Sequence, residues 1–278
     1  KLQLKICRNM NLDYAQICQA VTDIAKKTAI YIQSEKGKII KDQIEVKGLN
    51  DFVTRVDKTS EKMIVEALEP LVKGAGFIAE ENTKPQKGDT YNWIIDPLDG
   101  TTNFIHSVPC YCISIALMEN NRIVIGVIYE LNLQECFYAW KDGGAYLNGN
   151  PIKVSNTEIL KNALLATGFP YYDYRWLDEY LELFKYFMKN THGLRRLGSA
   201  AADMAYVAAG RFEGFYEYGL KAWDVAAGTL IITEAGGKVG DFNGGDDFIF
   251  GQQIVCSNNQ IFNEFQAIVG EFIKIEVK

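Results

Sequence analysis

Asp96 and Asp99 stand three positions apart in the run Trp93-Ile94-Ile95-Asp96-Pro97-Leu98-Asp99-Gly100-Thr101-Thr102-Asn103-Phe104. Two carboxylates so spaced can face one cation, and an oxygen-rich site of this kind suits Mg²⁺, whose shell is completed by water and a substrate phosphate. Taken alone, the same run also describes a turn in which Asp side chains accept from backbone N–H groups. Glu80-Glu81 is a second acidic pair, and adjacent like charges repel unless they are solvated or held by a cation. Asp224 follows Trp223, and Asp57 follows Asp51-Phe52-Val53-Thr54-Arg55-Val56; each stands at the start of a predicted helix. A carboxylate there can cap the helix, and that role does not exclude binding a metal.

The elements that position these residues follow from hydrophobic spacing. Ile17, Val21, Ile24, Ala25, Thr28 and Tyr31 recur at helical intervals, predicting a helix from Leu12 to about Ser34 that Gly37 ends. A second is predicted from Lys58 to about Glu69, with Asp57 as its N-cap and Pro70 at its end. A short strand covers Gly76 to Ala79. Tyr91 to Ile95 reads as a strand that runs into a turn at Pro97 and Gly100, with the polar residues after it on a loop. Cys112 to Met118, Arg122 to Tyr129 and Glu135 to Trp140 are β-rich runs separated by polar turns, an antiparallel meander. Further strands are predicted at Ala163 to Thr167 and Gly214 to Glu217, and helices at Trp176 to Asn190, Ser199 to Ala209, Ala222 to Ala235 and Asn259 to Phe272. Helices and strands mix without strict βαβ repetition, which favours α+β layers of helices packed between sheets over a doubly wound parallel sheet.

With 48% hydrophobic residues in 278, the chain can bury a large core, and no biased linker divides it. We read a single domain over residues 10–278, with residues 1–9 set apart as an extension or cloning remnant outside the fold. The net charge of −6 argues against a nucleic-acid backbone as the main ligand and means that an anionic substrate would need bound cations. No apolar run approaches a membrane span, so no membrane partner is expected. Cys7, Cys18, Cys110, Cys112, Cys136 and Cys256 are scattered among mostly apolar neighbours, a pattern of reduced thiols that suggests a cytoplasmic location. Cys110 and Cys112 have no second Cys or His cluster beside them and are not read as a zinc pair. Asp42, on a polar early segment, is read as a carboxylate without a role.

Taken together these segments resemble the inositol monophosphatase family, part of a Mg²⁺-dependent, Li⁺-sensitive superfamily that includes fructose-1,6-bisphosphatase. The Asp96 to Phe104 run is similar to one signature motif. Trp223-Asp224-Val225-Ala226-Ala227-Gly228, followed by Thr233-Glu234-Ala235-Gly236-Gly237, is similar to the other, and Gly76 to Glu81 resembles the family's Gly-x-x-x-Glu-Glu segment. The similarity runs from about Leu12 to the C-terminus, and the joint match is far more specific than any one motif. It implies an αβαβα sandwich, a homodimer, and hydrolysis of a small phosphorylated substrate, inositol 1-phosphate foremost, by metal-activated water. Glu80, Asp96 and the Leu98 carbonyl would bind one Mg²⁺, and Asp96, Asp99 and Asp224 a second, with a third, weaker ion near Glu80. Thr101 with Asp57 would orient or deprotonate the attacking water. The backbone amides of Gly100, Thr101 and Thr102 would meet the phosphate. Glu217 and the Gly198-Ser199-Ala200 turn would meet the alcohol, and Asp99 and Asp224 would border both.

Other readings are weaker. A phosphoaspartate mechanism uses Asp-x-Asp, whereas two residues separate Asp96 from Asp99. Gly143-Gly144 and Gly244-Gly245 lack a phosphate-loop frame and read as turns. His106 and His192 are not needed for the chemistry. Thr102-Asn103 stands where relatives acting on 3′-phosphoadenosine phosphates commonly show Lys-Glu, which places this chain nearer the inositol phosphate branch. Fructose 1,6-bisphosphate, histidinol phosphate and 3′-phosphorylated nucleotides stay open as substrates. Lys221 is either a solvated surface residue or a contact for a second anionic group. Some bacterial relatives also associate with the transcription machinery, and Arg195-Arg196 could serve that interface, a dimer partner or the active-site edge; a purely structural relative would be expected to lose metal ligands that are all present here.

Overall fold

The structure is a computed structural model that describes residues 12–38, 44–48, 51–170 and 173–274. Residues 1–9, Asp42 and the last four residues lie outside the described part. In chain order the elements are α1 (Tyr14–Glu35), β1 (Ile44–Gly48), β2 (Asp51–Thr54), α2 (Arg55–Leu68), β3 (Gly76–Ala79), β4 (Tyr91–Asp99) and α3 (Thr101–Ile105). The meander follows as β5 (Cys112–Glu119), β6 (Arg122–Glu130), β7 (Glu135–Trp140), β8 (Ala145–Leu147) and β9 (Asn150–Pro151). The second half contains β10 (Leu164–Thr167), α4 (Leu177–Asn190), β11 (Gly193–Arg195), α5 (Ala200–Ala208), β12 (Gly214–Tyr218), α6 (Ala222–Glu234), β13 (Lys238–Gly240), β14 (Gln253–Ser257) and α7 (Phe262–Phe272).

β3 to β9 form a seven-stranded sheet in chain order, and a five-stranded sheet has the order β11-β10-β12-β14-β13. Helices α1 and α2 cover the outer face of the larger sheet, α5 and α6 lie between the sheets, and α4 and α7 cover the smaller one. The result is the expected αβαβα sandwich. Period-two alternation sorts β4 between two cores: Trp93 and Ile95 join α1 and α2, whereas Ile94 faces the middle layer with α5 and α6. Asp96, two residues beyond Ile94, therefore points toward the N-terminus of α6. On β12, Phe215 faces the middle layer and Tyr216 and Tyr218 the outer core, which leaves Glu217 on the inner side. The middle helices have almost no polar face. Every residue of α5 is buried, as expected for a helix enclosed on all sides. At Gly126 of β6 a Cβ would sit 2.6 Å from the Ala227 carbonyl of α6, so only glycine lets sheet and helix come this close.

Several local expectations are corrected. Helix α2 begins at Arg55 rather than Lys58, because Thr54 is its N-cap and Asp57 occupies the third helical position in a capping box. β4 continues through Pro97 to Asp99 instead of ending at Ile95. Its pairing with β5 is irregular between Asp96 and Asp99, and the proline is accommodated in that bulge. The residues after it form the short helix α3 rather than a loop, with Gly100 as N-cap at a φ of 95° that favours glycine. The last helix begins at Phe262 rather than Asn259, because the Asn258 side chain first ties down the amides of Gln260 and Ile261.

Candidate active site

The bulge in β4 sets the geometry. On an unbroken strand residues three apart face opposite sides, but the extra residues at Pro97 and Leu98 turn Asp99 back toward Asp96. Leu98 N–H donates to Asp96 Oδ1 at 2.9 Å and closes the bulge. Asp99 is fixed from the other side of the molecule: its Oδ2 accepts from Ser199 Oγ at 2.7 Å and from Ala201 N–H at 2.8 Å, the first turn of α5. Asp224, in the first turn of α6, accepts from Lys221 N–H at 2.6 Å. It is therefore not the N-cap, which is Lys221. Oxygens of Asp96, Asp99 and Asp224 lie within 4.8 Å of one another.

Three such carboxylates repel in a metal-free protein. Burial, reinforced by the charges of Glu80, Asp99 and Asp224, pushes Asp96 well above the ordinary carboxylate range. Burial lifts Asp224 to about 7, and the charge of Asp99 adds to it. Asp99 reaches only about 6, because the bonds from Ser199 and Ala201 offset part of its burial. An all-oxygen donor set with unmet negative charge fits a hard divalent cation. Glu80, just after β3, stands outside this group of three, although its charge acts on Asp96; its N–H donates to Ile95 O at 3.2 Å.

Asp57 is buried on α2. Its Oδ2 accepts from Thr54 N–H at 2.8 Å and Thr54 Oγ1 at 2.6 Å, and its Oδ1 accepts from Thr101 Oγ1 at 2.9 Å. Thr101 Oγ1 also lies 3.0 Å from the Leu98 carbonyl. Burial raises the Asp57 pKa despite those bonds.

One cleft of about 430 Å³ is lined by the expected Glu80, Asp96, Leu98, Asp99, Thr101 and Asp224, whereas Asp57 stands behind its wall and reaches it through Thr101. Gly100, Thr102, Gly198, Ala200 and Glu217 line it too. The first-turn amides of α3, whose residues Thr101, Thr102 and Asn103 line the cleft, have no acceptor within that helix. Ser199 lines the cleft as well; its side chain is largely buried and its hydroxyl donates to Asp99. Lys221 and Arg196 border the cleft, the latter with its guanidinium 5.0 Å from the Phe169 ring. Arg196 thus lies at the edge of this cleft. Asn103, whose amide donates to the carbonyls of Cys110 and Leu197 at 2.7 and 2.8 Å, ties α3 to the loop before α5, and no local pattern announces this. Cys18, Cys110, Cys112, Cys136 and Cys256 are free thiols, and no described helix is long and apolar enough to cross a membrane.

The sequence profile of the inositol monophosphatase family matches residues 13–271. The chain belongs to that family. A Nus factor SuhB from Pseudomonas aeruginosa is 43% identical over 79% of this chain and 83% of its own. An inositol-1-monophosphatase from Mesorhizobium japonicum is 38% identical over 88% of this chain and 92% of its own. Among solved structures, the extragenic suppressor protein suhB from Bartonella henselae superposes with a TM-score of 0.88 at 36% identity, covering 93% of this chain and all of that one. The family is metal-dependent, and the carboxylates of Asp96, Asp99 and Asp224 form a group that could hold a metal ion.

Proposed function

We propose that the protein hydrolyses small phosphate monoesters with Mg²⁺, inositol 1-phosphate foremost, in the cleft between β4, α3, α5 and α6. The observation that carries this reading is the convergence of Asp96, Asp99 and Asp224 beside the Thr101 to Asp57 hydrogen bond. Glu80, Asp96 and the Leu98 carbonyl would hold one ion and Asp96, Asp99 and Asp224 a second, and a third, weaker ion would sit near Glu80. Bound Mg²⁺ supplies neutralisation of the phosphate, acidification of water and stabilisation of the leaving alkoxide. The chain's own residues do the rest.

Thr101 Oγ1 accepts a hydrogen bond from the attacking water and passes its own proton toward Asp57 Oδ1. The raised pKa of buried Asp57 makes it a better proton acceptor than an exposed carboxylate. Amides of Gly100, Thr101 and Thr102 bind the non-bridging phosphate oxygens, and the fixed β4 bulge keeps them in place before substrate arrives. Glu217 faces the alcohol. Lys221, which also lines the cleft, favours a second anionic group on the substrate where one is present.

Release of phosphate from inositol 1-phosphate by the purified protein, compared with fructose 1,6-bisphosphate, histidinol phosphate and 3′-phosphoadenosine 5′-phosphate, tests the reading. The inositol ester should be turned over fastest, and only with a divalent cation. No turnover of any monoester with Mg²⁺ or Mn²⁺ would sink it. An added role beside the transcription machinery is favoured by one observation, the Nus factor relative. Binding of the purified protein to transcription elongation factors, retained in an Asp96→Asn variant, would support it. We further assign the protein to the cytoplasm as a homodimer inhibited by Li⁺; sedimentation and inhibition assays check the last two.

A further inference from the structure

Glu61 is a fully buried carboxylate that this chemistry does not use. Its two oxygens go to the backbone of one turn: Oε2 accepts from Glu81 N–H and Oε1 from Thr83 N–H, each at 2.7 Å. A charge taken out of water needs such compensation, and bonds to an ionised acceptor are short and strong. The turn follows β3 directly. Its other supports are Glu80 N–H on Ile95 O and Asn82 N–H on Ala79 O, and Asn82 takes a φ of 54° to make it. Glu80, the first residue of that turn, presents its charge to Asp96.

Asp57 and Glu61 are four residues apart on α2 and so share one face of the helix. From that face Asp57 reaches Thr101, and Glu61 reaches the turn of Glu80. We infer that Glu61 is a positioning residue for the metal site: its carboxylate locks the turn after β3 so that Glu80 is presented to the ion it shares with Asp96. The inference rests on the metal reading of the preceding subsection. It assigns no contact between Glu61 and any ion. It predicts a loss confined to one binding step.

Mn²⁺ binding, followed by the paramagnetic resonance of free Mn²⁺ during titration of the intact protein, separates the possibilities. Glu80→Gln should remove the ion bound by Glu80 and Asp96. Glu61→Gln, whose amide nitrogen cannot accept a hydrogen bond, should weaken that same ion by about 10–100-fold, the usual effect of disturbing a group that orients a ligand. The ion between Asp96, Asp99 and Asp224 should be retained. The double variant should bind Mn²⁺ as Glu80→Gln does, because the two changes act through one side chain. Unchanged binding in Glu61→Gln, an equal loss at every ion, or additive losses in the double variant would overturn the inference. In the wild type, the amides of Glu81 and Thr83 should exchange slowly with solvent; exchange at the rate of open backbone would overturn it whether or not the variant folds. A wild type that binds no Mn²⁺ would instead remove the metal reading itself, a failure visible before any variant is made.

Discussion

Thr101 Oγ1 donates to Asp57 Oδ1 across 2.9 Å, although the two residues are 44 apart in sequence. The bond joins α3, which follows the β4 bulge, to α2 on the outer face of the same sheet. The other oxygen of Asp57 is held by Thr54, so the carboxylate cannot rotate away without breaking the cap of α2.

Thr101→Ala should therefore lower kcat by about 10²–10⁴-fold, the range of general acid–base assistance, while KM changes little. Steady-state kinetics on inositol 1-phosphate read this directly. In a single turnover in oxygen-18 water, the label should enter the released phosphate. A phosphorylated protein, or phosphate without label, would show that a side chain and not water makes the attack.

Asp96→Asn should abolish turnover at any Mg²⁺ concentration, because Asp96 faces both proposed ions. The fold should survive, and the metal-free variant should melt no lower than the wild type, since Asn replaces a carboxyl whose ionised form burial and its acidic neighbours disfavour. Near-normal activity in this variant would contradict the shared-ligand assignment.

Without metal, stability should fall as pH rises from about 4 to about 7. Asp99 and Asp224 are lifted from the ordinary carboxylate value of 3.8 to about 6 and about 7, so between those limits the folded state binds more protons than the unfolded chain. Stability then declines with pH across this window. Saturating Mg²⁺ should flatten or reverse the trend, because it binds the deprotonated carboxylates. Melting curves in chelator and in Mg²⁺ across this range would show both slopes; a metal-free protein that gains stability toward pH 7 would contradict the buried cluster.

Ser199→Ala removes both the cap of α5 and a hydrogen bond to Asp99. The cap alone should cost about 0.5–2 kcal/mol in urea unfolding. The Mg²⁺ concentration for half-maximal activity should rise as well, because Asp99 keeps only part of its support.

The layers and the acidic cluster are legible in the sequence where the signal is local. Alternation along β4 already sends Ile94 and Asp96 to one face, and the apolar spacing of α1 and the meander mark their elements. The bulge is not legible, because Pro97 ordinarily ends a strand and only pairing with β5 shows that it continues. α3 is too short for a period, and β11 and β13 have three residues each. Ile44-Glu45-Val46-Lys47 alternates apolar with charged residues, so the hairpin of β1 and β2 is legible in principle. Thr54-x-x-Asp57 likewise carries a capping signal that fixes the start of α2. Glu61 and Asn103 make their decisive contacts with distant backbone, where no spacing rule reaches.

Helix α6, enclosed between the two sheets, is also a common wall. It packs on β4 to β8 on one side and on α5 in its own layer, and the Gly126 contact leaves it no slack. Neither sheet can shed this helix without exposing the apolar surface that holds the other half together. Unfolding should consequently be one cooperative transition, with the amides of α6 among the last to exchange and neither half folding as an isolated fragment.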